Sequence, residues 1–159
     1  MTSTTPSLPM HDARPDWQAA HRARVSPFIV VPNAMRVVEF AQEVFDARLA
    51  RPPLYRTDGH LWNAEIVIGD SCILLGDARD EKMTRPAFLY VHVPDADATY
   101  AKAEAAGGKV VMPVTDQFYG DRDGGIEDPA GNLWWISTHI EDPTDDEIVA
   151  RARAVEASW

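Results

Sequence analysis

The chain has 159 residues, of which 45% are hydrophobic and 25% are charged, as in an ordinary soluble globular protein with one proper core. Its formal net charge is -10. Proteins that bind nucleic acid need a basic stripe to displace counterions from the phosphates, and no such stripe is present. The composition therefore argues for a soluble domain and against a nucleic-acid partner.

The sequence shows no sign of export or membrane insertion. The first ten residues, MTSTTPSLPM, lack both the charged and the apolar region of a signal peptide. No window approaches the roughly 18 apolar residues of a membrane span. Cys72 is the only cysteine, so an intrachain disulfide is excluded and a reducing compartment is the natural one. We expect a cytoplasmic protein without a membrane partner.

The N-terminal segment, residues 1–24, is rich in Ser, Thr, Pro and charge, and we interpret it as a tail or an arm. A short helix is predicted around Asp16 to Ala23, with Trp17 as its only large apolar residue. The basic cluster His21-Arg22-Ala23-Arg24 is interpreted as a solvated flank.

A strand, a helix and three further strands follow. The apolar run Phe28-Ile29-Val30-Val31 predicts the first strand, and Asn33 is the expected N-cap of an amphipathic helix that extends to about Ala47. The three further strands are separated by Gly- and Asp-containing turns and are predicted at Leu49 to Thr57, Leu61 to Ile68 and Cys72 to Leu75. This unit has the order βαβββ.

The same order returns after a charged linker. Asp95 is the expected N-cap of an alanine-rich helix that stops at Gly107-Gly108. Asp123-Gly124-Gly125 predicts a tight turn, and Asp128 to Asn132 predicts a second one. The strands of this unit are predicted at Ala87 to Val93, Lys109 to Val114, near Gly125 to Glu127, and Leu133 to Thr138.

The two units are copies of one another. Val31-Pro32-Asn33-Ala34 matches Val93-Pro94-Asp95-Ala96 at an offset of 62, and Ile73-Leu74-Leu75 aligns with Trp134-Trp135-Ile136 at an offset of 61. A sheet of this size cannot hide its own apolar face, so the two units are expected to join around a shared cavity.

We therefore predict an α+β fold in which two tandem βαβββ modules, residues 25–78 and 86–140, form one domain spanning residues 25–140. Thr144-Asp145-Asp146-Glu147 is a capping-box pattern that predicts a helix within residues 141–159. The narrow apolar face of this helix is expected to dock on its own chain or on a second subunit.

These features resemble the vicinal oxygen chelate superfamily, which contains glyoxalase I, extradiol dioxygenases and bleomycin-resistance proteins. The resemblance covers about residues 25–140, and its most specific motifs are the VPNA and VPDA junctions, AEIVIGDS and FYGDR…DPAGNLWWISTH. The last motif looks most like the PhnB-like subgroup. The resemblance implies a glyoxalase-like open barrel around a central cavity, and a homodimer, in some members with exchanged modules.

The resemblance also implies where a metal would bind. Metal-using members place a ligand, usually His or Glu, on the first and last strand of each module. In this chain the matching positions are Ser26, Leu74, Phe88 and Trp135. None of these side chains is a usual metal ligand. We therefore expect no metal and no cofactor, with a divalent metal in an atypical site as the alternative.

Strand alternation predicts an aromatic cup on the inner face of the modules. The residues assigned to this face are Ser26, Phe28, Val30, Leu74, Phe88, Tyr90, His92, Leu133, Trp135 and Ser137. Such a lining suits a planar or apolar ligand. Trp62 and Trp134 alternate with it and are expected to face a helix or a subunit partner.

The loop residues Phe118, Tyr119 and Arg122 extend the candidate ligand-binding set. In the functional interpretation, Arg122 binds an anionic substituent of the ligand. In the structural interpretation, Arg122 forms a loop ion pair with its neighbour Asp121.

Two residues are candidate acid-base catalysts. His92 shares a face with Phe88 and Tyr90, although a hydrogen-bonded histidine at a strand end is the alternative. Glu65 lies in a strand among apolar neighbours, where burial would raise its pKa and make it a usable base; otherwise it faces solvent. Surface positions are expected for His60 and His139, and Cys72 has no evident base beside it.

Two classes of function follow. The first is a metal-free protein that binds or sequesters a drug-like molecule or secondary metabolite, which the aromatic cup favours. The second is an enzyme: a metal-dependent lyase, isomerase or dioxygenase with an atypical site, or a metal-free catalyst that uses His92 or Glu65.

Overall fold

The computed structural model describes residues 15–159, so any prediction for residues 1–14 of the arm lies outside the described residues. A short 3-10 helix, Glu81–Met83, links the two halves of the chain. The other elements, in chain order, are β1 Phe28–Val31, α1 Met35–Phe45, β2 Arg48–Leu49, β3 Leu54–Tyr55, β4 Leu61–Ile68, β5 Ser71–Asp77, β6 Phe88–His92, α2 Ala96–Ala105, β7 Lys109–Asp116, β8 Asp121–Glu127, β9 Leu133–His139 and α3 Asp145–Glu156.

Each half of the chain forms its own sheet. The first sheet has the order β1-β5-β4-β2, with β3 paired to β4, and the second has the order β6-β9-β8-β7. In both sheets the first strand runs parallel to the last, and the remaining pairs are antiparallel. The predicted α+β fold with two βαβββ units is confirmed.

Two proline residues divide the strand that was predicted from Leu49 to Thr57. Pro52 and Pro53 have no N–H group to donate to a ladder. The structure accordingly contains two short strands, β2 and β3, that pair with different parts of β4.

Helices α1 and α2 cover one face of the sheets and pack against each other, which places the core between the modules. Trp134 of the second module is fully buried, and its ring centroid lies 4.9 Å from that of Phe45 and 6.1 Å from that of Phe40, both on α1 of the first module. Trp134 therefore faces a helix, as its alternation with Trp135 predicted, and it joins the two modules.

The N-termini of the three α-helices are capped in different ways. Asn33 has a φ of 53° and does not cap α1, so its assignment as an N-cap is wrong. The side chain of Asp77 serves this end instead, because its Oδ1 accepts a hydrogen bond from the Ala34 amide at 2.7 Å. The two other predicted caps are confirmed: Asp95 accepts from the backbone of α2, and Thr144 forms the capping box of α3.

The ends of the chain are held by polar contacts. The described part of the arm forms turns, so the predicted helix around Asp16 to Ala23 is wrong. Helix α3 contributes no buried side chain, and an Arg151 to Glu141 ion pair of 2.7 Å fastens it to the chain. None of the described helices is both long enough and apolar enough to cross a membrane.

Candidate functional site

The face of each sheet that the helices leave uncovered carries the predicted inner-face residues. Strand register places Tyr90 beside Trp135 and His92 beside Ser137, and in the first sheet it places Phe28 beside Leu74. The alternating neighbours belong to the core on the helix side. Each of these residues therefore lies on the uncovered face of its own sheet.

The second sheet presents an open aromatic surface, which we call the cup: Phe88, Tyr90 and Trp135. The ring centroids of Phe88 and Trp135 are 5.1 Å apart, and Phe88 is 63% exposed. The six-membered ring of the Trp135 indole lies directly over Gly125, where an added Cβ atom would fall 2.2 Å from its Cζ3. An exposed aromatic group on a shaped surface is a usual mark of a binding site.

The DGG sequence that was predicted to form a turn lies inside β8, so that prediction is wrong. Neither Gly124 nor Gly125 has a positive φ. Both positions are crowded instead: a Cβ at Gly124 would fall 2.8 Å from the Tyr100 ring, and one at Gly125 would meet the indole of Trp135. Glycine is present here because rings occupy the space of a side chain.

Two buried aspartates that sequence reasoning did not select lie next to the cup. We call them, with the hydroxyl groups that contact them, the acidic floor: Tyr90, Tyr119, Asp121, Asp123 and Ser137. The Tyr90 hydroxyl lies 2.7 Å from Asp121 Oδ2 and 2.9 Å from Asp123 Oδ2, and the Tyr119 hydroxyl donates to Asp123 Oδ2 at 2.5 Å. Asp121 and Asp123 alternate along β8, a signal that is visible only once this segment is assigned as a strand.

The acidic floor holds its tyrosines neutral and Asp121 ionised. Burial raises the pKa of Tyr90 and of Tyr119, and the nearby carboxylates raise it further. Burial opposes ionisation of Asp121, but hydrogen bonds from His139, Tyr90 and Ser137 outweigh it, so the pKa of Asp121 is lowered. At neutral pH the floor therefore consists of hydroxyl donors around negative charge.

Two histidines lie at the rim of the floor. His139 Nδ1 is 2.7 Å from Asp121 Oδ1, and this contact together with Asp142 raises the pKa of His139. His92 is exposed, and its Nε2 lies 3.7 Å from Asp121 Oδ2, too far for a hydrogen bond. His92 thus borders the cup with an available ring nitrogen, and its catalytic role stays a prediction.

Glu65 occupies the uncovered face of the first sheet and is fully buried under the arm. Arg22 contacts both carboxylate oxygens, at 2.6 and 3.1 Å, and His21 hydrogen-bonds to Oε2. Arg51 and Asn63 reach Oε1 at 2.8 and 3.1 Å. The interpretation of His21 and Arg22 as a solvated flank is wrong, because the carboxylate of Glu65 binds them.

The pKa of Glu65 is lowered, not raised as expected. The hydrogen bond from Arg22 lowers it most, burial opposes this effect, and His21, Arg51 and Asn63 lower it further. An ionised carboxylate saturated by cations is a weak base at neutral pH. The structure thus removes the reason for which Glu65 was selected as a catalyst.

Donor atoms of His21, Glu65 and Cys72 lie within 4.8 Å of one another, the usual spacing of a metal site. The guanidinium groups of Arg22 and Arg51 already contact Glu65, and their positive charge opposes a metal ion at this point. Burial raises the pKa of the Cys72 thiol, with a further contribution from Glu65, so the thiolate ligand is disfavoured too. This donor set does not fit a metal.

Arg122 lies on the helix side of its sheet and not in the cup. It pairs with Asp97 of α2 at 2.7 Å and with Asp116 at 2.9 Å. The predicted Asp121 to Arg122 pair is therefore wrong, because alternation sends the two neighbours to opposite faces. Phe118 packs edge to face on Tyr119, with their centroids 5.1 Å apart.

A cleft of about 700 Å³ opens at the junction of the modules. Tyr90 and His92 line it together with Val25 and Cys72 of the first half, whereas Phe88 and Trp135 do not. The cup and this cleft therefore share Tyr90, and His92 lies beside the cup on the wall of the cleft.

Duplicated βαβββ sheets with their helices on one face and an open inner face define a glyoxalase-like fold. The sequence profile of the Glyoxalase/Bleomycin resistance protein/Dioxygenase superfamily matches residues 18–136. This chain belongs to that superfamily.

Relatives and neighbours agree with this assignment. An uncharacterised protein of Mycobacterium bovis is 33% identical over 138 residues, which cover 79% of this chain and 90% of the relative. The PhnB protein of Bacillus cereus superposes with a TM-score of 0.59 at 15% identity, over 73% of this chain and 99% of the other. The fosfomycin resistance protein FosX of Mesorhizobium loti gives 0.55 at 16% identity, over 80% and 97%. At such low sequence identities, these two structural matches show a shared fold and nothing further.

Proposed function

We propose that this protein binds or sequesters a drug-like molecule or secondary metabolite in the cup without using a metal. The observation that carries the proposal is the contact of the exposed Phe88 ring with the half-buried Trp135, whose indole is seated on Gly125. Solvated aromatic side chains gain free energy when a planar ligand covers them. The occurrence of a bleomycin resistance protein in the name of the superfamily, and of a fosfomycin resistance protein among the structural neighbours, is consistent with this function.

The inherited metal positions support the metal-free part of the proposal. Leu74, Phe88 and Trp135 offer no ligand atom, and Ser26 offers only a hydroxyl. Metal analysis of protein purified without chelator tests this point. Stoichiometric Zn, Ni, Mn or Fe that is lost in Glu65→Ala or His92→Ala would favour the second candidate, an enzyme with an atypical metal site.

We further propose that the protein acts in the cytoplasm as a homodimer. The open cup of one copy presents apolar surface, and Val149 and Val155 of α3 are exposed as well. Burial of such surface against a second copy is a common way to complete a ligand cavity.

We expect Trp135→Ala to weaken ligand binding by about tenfold or more, because it removes the largest stacking surface of the cup. A small-molecule library is first screened by quenching of tryptophan emission, and the affinity of each hit is then measured by titration calorimetry. Trp62→Ala is the matched control, since Trp62 is 48% exposed but lies on another surface, between Arg56 and Arg79. Equal affinities for wild type and Trp135→Ala would count against the cup.

A further inference from the structure

The inner-face carboxylates of the two modules have different charged neighbours. In the first module, Glu65 is neutralised by side chains of its own chain, including two arginines. In the second module, the basic groups near the Asp121 carboxylate within residues 15–159 are imidazoles only, those of His139 and the more distant His92. The charge of Glu65 is therefore balanced within the chain. The negative charge around Asp121 exceeds the positive charge of the side chains beside it.

Hydrogen bonding in the acidic floor is also incomplete. Tyr90 has a single hydroxyl hydrogen for three neighbouring oxygens, those of Asp121, Asp123 and Ser137. Asp123 is fully buried, and its Oδ1 has no hydrogen-bond partner among the described residues. Buried carboxylate oxygens without donors are costly, so a missing donor is expected here.

The cup lies directly beside this uncompensated negative charge and the unpaired carboxylate oxygen. Tyr90 belongs to both the cup and the acidic floor, because its ring is exposed while its hydroxyl contacts the aspartates. Asp121 retains 13% side-chain exposure, and the gap of 3.7 Å between its Oδ2 and His92 marks the open side. A cation placed there contacts a carboxylate and the faces of aromatic rings at once.

We propose that the cup selects ligands with a protonated amine, whose ammonium group binds at Asp121 while the rest of the ligand stacks on Phe88 and Trp135. The proposal rests on the small-molecule binding proposed above and assigns its ligand class. Asp123 acts beneath Asp121 by adding negative charge and by holding the hydroxyls of Tyr90 and Tyr119. The formal net charge of -10 also favours the approach of cations.

The test compares two probes of nearly equal shape, 1-naphthylmethylamine, which is protonated at neutral pH, and 1-naphthalenemethanol, which is not. We expect wild-type protein to bind the amine about tenfold more tightly than the alcohol in titration calorimetry. Asp121→Asn should reduce this preference to near unity, because it removes the charge that the ammonium group contacts.

The control is Asp146→Asn, which removes the same unit of charge from an exposed position of α3 and should keep the preference for the amine. Equal binding of both probes to wild type would overturn the amine proposal and leave the cup intact, whereas binding of neither would count against the cup itself. Displacement of the amine by MgCl₂ but not by NaCl at equal ionic strength would assign the acidic floor to an inorganic cation and would also overturn the proposal.

Discussion

Trp134→Ala is expected to lower the free energy of unfolding by about 3–5 kcal/mol, the usual cost of deleting a large buried aromatic ring. The indole is fully buried between the modules, where it packs on Phe45 and Phe40. Its Nε1 also donates to Asp128 Oδ2 at 2.9 Å, so the substitution removes a donor from a buried carboxylate as well.

Urea unfolding followed by circular dichroism measures this effect as a shift in midpoint. Trp62→Ala serves as the control, because its indole is half-exposed and its neighbours are the guanidinium groups of Arg56 and Arg79. That control should cost about 1 kcal/mol or less. Similar midpoints for Trp134→Ala and Trp62→Ala would contradict the position of Trp134 at the junction of the modules.

Glu65→Gln is expected to destabilise the protein by about 1–3 kcal/mol at neutral pH, because a charged acceptor for two arginines and His21 becomes a neutral amide. The value lies below that of a fully buried ion pair, since Arg22 and Arg51 are 36% and 59% exposed and water screens them. The arm should also loosen, so trypsin should cleave after Arg22 and Arg24 faster than in wild type.

The stabilising effect of Glu65 should depend on pH in a defined direction. The pKa of Glu65 is lower in the folded protein than the value of about 4.3 expected in the unfolded chain. Its stabilising contribution is therefore complete above that unfolded value and is lost as the pH falls through the folded value. The stability difference between wild type and Glu65→Gln should be constant near neutral pH and shrink below about pH 4.

Glu43→Gln, which changes an exposed carboxylate of α1, controls for net charge. It should alter neither the stability nor the rate of cleavage in the arm. A Glu65→Gln protein whose arm resists trypsin as well as wild type does would show that Glu65 does not hold the arm.

The fold was predictable because its signals are local and repeated. Apolar spacing, the junction motifs and the internal offset of about 61 residues determine the order of elements without tertiary information. Strand alternation also separated Trp134 from Trp135 correctly, since successive side chains of a strand point to opposite faces.

The chemistry of the site was less predictable because it depends on contacts between distant residues. The sequence around Glu65 does not predict that Arg22, 43 residues earlier, donates a hydrogen bond to its carboxylate. Gly124 and Gly125 were interpreted as turn residues, although the rings of Tyr100 and Trp135 account for them. Once that segment is assigned as a turn, the alternation of Asp121 and Asp123 on β8 is no longer visible, and the acidic floor is missed.

The most direct test of the account is an NMR titration of the indole N–H resonances with 1-naphthylmethylamine. We predict that the Trp135 signal shifts in a saturable manner, because the probe stacks on that ring. The Trp134 signal should stay fixed, since its N–H is bound to Asp128 in the core. Shifts confined to Trp62 or Trp159, or an unperturbed Trp135 signal under conditions where calorimetry detects binding, would contradict the assignment of the cup as the binding site.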